Sequence, residues 1–212
     1  MKWFMKIAAA ALLVMATGYA AAGAYEDALD AVEKDNAKAL TGLLQKGLDP
    51  NTSDADGNTL LMKSARAGKL GTLKTLLGSG AKVNQPNAVG ETALMLAAIG
   101  GQQAAARELL AKGAEVNPEG WKPLIYAAVY GNVEMMKLLL GGGAQINGQA
   151  ENGMTALMMA AHEGHMNAVK FLVAGGADLN IRNGQERTAL GIARQRSKDD
   201  IAAVLVQAGA KE

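Results

Sequence analysis

The chain has 212 residues, half of them hydrophobic, with 26 glycines, no cysteine and a formal net charge of +1. That is enough apolar material for the core of one or two domains. The absent cysteine excludes disulfides, thiolate metal sites and a lipid-attachment cysteine, and the balanced charge argues against the basic patch of a nucleic-acid binder.

The first element is a targeting segment. Lys2 and Lys6 form a short positive region, Ile7 to Met15 an apolar core too short to span a bilayer comfortably, and Ala22-Gly23-Ala24 a small-residue cleavage site. This predicts a bacterial Sec-type signal peptide over residues 1–24, a mature start at Tyr25, and a periplasmic or secreted protein with no membrane attachment after cleavage. An uncleaved anchor is the alternative, since the 18 residues from Ile7 to Ala24 carry no charge. Removing two lysines takes the formal charge from +1 to −1, which weakens nucleic acid and anionic lipid further as partners.

From residue 25 onward one pattern recurs. Gly47, Gly80, Gly113, Gly143, Gly176 and Gly209 are spaced 33, 33, 30, 33 and 33, and Asn51, Asn84, Asn117, Asn147 and Asn180 keep that spacing. An apolar pair precedes each glycine, from Leu43-Leu44 to Leu205-Val206. Thr59, Thr92, Thr155 and Thr188 open units at a helix-capping position, and Pro123 after Lys122 takes a first-turn position in the fourth. Alanine-rich inner helices follow, ended by Gly68, Gly101, Gly131 and Gly164. Outer helices then carry an apolar face, as in Val169, Leu172 and Val173 at i, i+3, i+4. The short interval removes three residues from the hairpin between the third and fourth units. A row of projecting hairpins would therefore have a gap beside Trp121.

This pattern resembles the ankyrin repeat, whose consensus runs Gly-x-Thr-Pro-Leu-His-x-Ala-Ala, Gly-His, Leu-Leu, Gly-Ala-Asp-x-Asn. The resemblance implies an all-α solenoid of about six helix-turn-helix units joined by hairpin-like loops. The units run 25–55, 56–88, 89–118, 119–151, 152–184 and 185–212, as one ankyrin-repeat domain. The first and last units depart from the pattern, with Arg194 and Ser197 replacing Ala and Gly, as capping units do. The family's imidazole after Leu is replaced by Met62, Met95, Ile125, Met158 and Gly191, so packing must stand in for its hydrogen bonds. His165 holds the Gly-His slot and is expected to be structural.

By the same resemblance, a partner protein meets the concave face of inner helices and hairpin tips. The residue after the hairpin glycine is Asn58, Glu91, Trp121 or Met154, and Arg187 holds the same position in the last unit. The pair before each inter-helix glycine is Arg66-Ala67, Ile99-Gly100, Val129-Tyr130 or His162-Glu163. Ile99, Trp121, Val129, Tyr130 and Met154 thus make an apolar, aromatic centre with His162 at its edge, the composition of a binding hot spot. The alternative is that Trp121 and Tyr130 pack between units.

The expected function is non-enzymatic protein binding by a monomer, without cofactor or metal. Similar small, signal-bearing bacterial arrays include periplasmic partners of haem enzymes such as catalase, so a stress-response or haem enzyme is the partner this implies. Two other readings stay open. Met154, Met158, Met159, His162, His165 and Met166 would suit a haem or soft-metal carrier, and an exported effector could bind host proteins. Asp54 to Asn58, "DADGN", faintly echoes a calcium loop but lacks its ligand ladder and reads as a hairpin turn.

Overall fold

The computed structural model describes residues 23–211. All but the last two residues of the expected signal peptide lie outside them. Among the described residues twelve helices form six pairs: α1 (23–33) and α2 (Ala37–Gln45), α3 (Leu60–Ala67) and α4 (Leu70–Gly78), α5 (Ala93–Ile99) and α6 (Gln103–Ala111), α7 (Pro123–Val129) and α8 (Val133–Gly141), α9 (Ala156–Glu163) and α10 (Met166–Ala174), α11 (Ala189–Gln195) and α12 (Asp199–Gln207). Inner helices α3, α5, α7, α9 and α11 pack side by side, and α2, α4, α6, α8, α10 and α12 form a second layer behind them. Between pairs the chain makes loops, with an isolated bridge between Ser53 and Thr59. None of the described helices is long and apolar enough to cross a membrane.

The recurring residues each have a mechanical task. The six glycines after the outer helices all have φ between 81° and 100°, and a Cβ there would meet nothing within 4 Å. Conformation, not space, therefore requires them. The next residue's amide reaches back five positions, as in Ala114 to the Leu109 carbonyl and Ala177 to that of Leu172, so an orphan carbonyl of each outer helix is closed. Beyond the glycine, the five asparagines clamp unit to unit. The side-chain oxygens of Asn51, Asn84, Asn117, Asn147 and Asn180 accept from the amides of Lys82, Glu115, Gln145, Asp178 and Lys211 at 2.8–2.9 Å. One side chain per repeat thus fixes the register of the next.

The inner helices bury their alanines: Ala65, Ala97, Ala98, Ala127, Ala128, Ala160, Ala161 and Ala193 are all 0 % exposed. Thr59, Thr155 and Thr188 accept from Met62, Met158 and Gly191 amides at 3.2 Å, as the capping pattern predicts. Thr92 is a correction: it makes no cap, and its buried hydroxyl has no partner. The methionines in the imidazole slot are buried, and the Met62 sulfur also accepts the Thr59 amide at 3.4 Å. "DADGN" is a turn in which the Asp54 carboxylate accepts from the amides of Asp56 and Asn58 and pairs with Lys63 at 2.6 Å.

Where the end units lack glycine, the backbone keeps the same shape. Asp35 and Ser197 occupy the inter-helix glycine slot at φ 51° and 54°, and Glu186 the hairpin slot at φ 58°. Asp35 uses its side chain to cap α4: its carboxylate accepts from Thr72 N at 2.8 Å and Gly71 N at 3.2 Å. Burial opposes its ionisation, but those amides, the Thr72 hydroxyl and the charge of Lys69 hold the carboxyl below its ordinary value. Ser197 is exposed and has no such task. Ser197→Gly is therefore expected to stabilise the chain by about 1 kcal/mol, the usual cost of a side chain in the left-handed region. Asp35→Gly, which also deletes a cap, should lower stability instead. Urea midpoints of the two variants check this, and the idea fails if both move the same way.

Candidate protein-binding surface

Two elements build the centre of the inner face. The shortened hairpin, 117–120, delivers Trp121, and α7 follows at once with Tyr126 one turn on. The two rings pack at 5.4 Å between centroids, tilted by 35°. The Tyr126 hydroxyl donates to Glu91 of the preceding unit at 3.0 Å, and Asn87 donates to the same carboxylate at 3.2 Å. Burial, and then the Glu91 charge and hydrogen bond, push the Tyr126 phenol well above its ordinary value, so it stays a donor. Tyr126 orients Trp121, yet the repeat register did not single it out, because its slot faces the helix rather than the hairpin.

The gap expected beside Trp121 is partly filled by Lys122. Its ammonium donates to the carbonyls of Pro118 and Gly120 at 3.2 Å and of Gln149, in the next hairpin, at 2.9 Å. Elsewhere backbone bonds join hairpins, Ala88 N to Asp56 O and Gly184 N to Asn152 O, both at 2.9 Å, alongside side-chain ties such as Asn87 to Asn58. Lysine stands where other units have the capping threonine, and Pro123 starts the helix without a side-chain cap.

Trp121, Met154 and His162 line one pocket of about 320 Å³ together with Met159, Arg187 and Ile192. Ile99, Val129 and Tyr130 do not line it. They lie at the C-terminal ends of α5 and α7, with Ile99 and Val129 half-buried and Tyr130 56 % exposed. So the six residues split into a pocket group and an inner-helix-end group, and Trp121 both packs within its own unit and faces the pocket.

The opposite wall is polar. Arg196 donates to Nε2 of His162. A guanidinium only donates, so Nδ1 carries the ring proton and gives it to Glu163 Oε1 at 2.7 Å. Arg187 is held by the side-chain oxygens of Gln185 and Gln195. His165 has the structural place expected of it. Its Nε2 bonds the Val129 carbonyl of the preceding unit at 2.8 Å, and its ring lies where a Cβ on Gly131 would come within 2.7 Å. Of the soft-ligand candidates, Met158 is 1 % exposed and His165 is engaged, while Met154, Met159 and His162 share the pocket. No cluster of three or more His, Asp or Glu is placed for a metal ion among the described residues.

Comparison with known proteins bears on what such a face does. The family description "ankyrin repeats (3 copies)" matches residues 28–119, 69–150 and 124–212, which together run without a break from 28 to 212. No curated protein matches the chain.

Proposed function

The chain belongs to the ankyrin-repeat family, and from that premise we propose that it is a non-enzymatic module that binds another protein through its concave inner face. The observation that carries the reading is the pocket shared by Trp121 and Met154 across two units, ringed by polar side chains. Large, partly exposed aromatic anchors with a polar rim are what binding hot spots are made of. The stacked, clamped units present this surface already ordered, so little conformational entropy is lost on association. With the signal-like residues 1–24, we place the work in the bacterial periplasm, on a stress-response or haem enzyme.

A pull-down from periplasmic extract, with the exported chain as bait, tests this. Trp121→Ala is expected to weaken partner binding by about 2 kcal/mol or more while leaving the fold intact. Tyr130→Ala, on the exposed helix end, tests whether the footprint extends beyond the pocket, and His165→Ala should lower stability with little effect on binding. Partner affinity unchanged by Trp121→Ala would end the hot-spot reading. Loss of haem or copper uptake in His162→Ala, with Trp121→Ala unaffected, would turn it toward a carrier. The same preparation tests export: its mass should correspond to a start at or near Tyr25, and an intact Met1 with membrane retention would refute that.

A further inference from the structure

The charges around the pocket are unbalanced in one direction. Its lining holds two guanidiniums, Arg187 and Arg196, and no Asp or Glu. Neither arginine has a carboxylate within ion-pair distance among the described residues. Their partners are uncharged: two amide oxygens for Arg187, an imidazole nitrogen for Arg196. Glu163, which follows His162, is engaged by its imidazole. Half-buried Arg187 is thus positioned by neutral acceptors, with three of its five N–H donors uncommitted. A fixed guanidinium fork beside an apolar floor of Trp121, Met154 and Ile192 matches a carboxylate placed next to a hydrophobic side chain.

On this basis, and resting on the protein-binding reading above, we infer that the pocket takes an acidic segment of the partner. An apolar side chain sits over Trp121 and Met154, and a neighbouring Asp or Glu pairs with Arg187 and Arg196. A polyphosphate or nucleic-acid strand fits less well. It needs a run of cations along the backbone, whereas this lining has two arginines and no lysine.

The chain offers a direct reporter, because Trp3 and Trp121 are its two tryptophans. With Trp3→Phe, fluorescence comes from Trp121 whether or not the leader is removed. A random twelve-residue peptide display library, selected on the exported chain, supplies probes. Enriched peptides are expected to place Asp or Glu beside Leu, Phe or Trp. Replacing their acids by Asn or Gln, or introducing Arg187→Gln or Arg196→Gln in the protein, should each weaken binding about tenfold or more. Melting temperatures of the arginine variants should stay near wild type. Enrichment of neutral or basic peptides, indifference of acidic ones to both arginines, or no enrichment at all overturns the inference. Peptides that need Trp121 but neither arginine would refute the acidic class alone and leave the binding face standing. Tighter binding of oligonucleotide than of any acidic peptide would refute it in favour of phosphate.

Discussion

Ala128→Asp is expected to destabilise the fold by roughly 3 kcal/mol or more. Ala128 is 0 % exposed in α7, the inner helix packed between α5 and α9. A carboxylate there would lose its water and gain no cation. Neutralising it by protonation costs free energy as well, and the larger side chain must push two neighbouring helices aside. Position in the array sets the size of the effect. α11 has one inner-helix neighbour, α9, so Ala193→Asp disrupts one interface instead of two and should cost less. Urea unfolding of both variants measures the difference. A midpoint for Ala128→Asp equal to wild type would mean that α7 is not packed as described.

Gly100→Ala should cost about 2 to 3 kcal/mol, as overpacking against backbone does. The reason is not backbone freedom, because Gly100 has φ −75° and ψ −6°, which alanine adopts readily. It is distance: a Cβ at 100 would stand 2.1 Å from the carbonyl oxygen of Arg66 and 3.1 Å from its carbon. A main-chain carbonyl at a helix end cannot swing away as a lysine tip can, so α5 must retreat from α3. The corresponding positions Ala67, Tyr130 and Glu163 all carry side chains, which places the close approach at this junction. Thermal denaturation reads the loss, and a variant as stable as wild type would show that α3 and α5 sit further apart in solution.

These two residues show what the repeat register conveyed. It marked Ala128 as an inner-helix alanine, and burial agrees. It placed Gly100 in a partner-facing pair with Ile99, whereas the structure gives that glycine a packing reason within the chain. The same division runs through the candidate surface. The register, read through the resemblance to ankyrin repeats, put Trp121, Met154 and His162 on one face, and they do share a pocket. It could not separate them from Ile99, Val129 and Tyr130, because register assigns a residue to a slot without saying which slots of neighbouring units meet.

The sequence by itself determined the all-α repeat fold, the turn glycines and the places of the recurring asparagines, whose clamping bonds the structure shows. Each depends on short-range geometry: a left-handed turn needs glycine, and a side chain repeated once per unit meets its copy's surroundings one unit on. The tertiary structure alone decided the details at the short hairpin and the pocket. Lys122 bridging Gln149, Tyr126 reaching Glu91, and Arg196 meeting His162 are contacts between residues 27 to 35 positions apart with no repeating counterpart. A contact made once leaves no period to read. It forms because stacking brings two particular side chains within hydrogen-bond reach, and only the stacked units show which two.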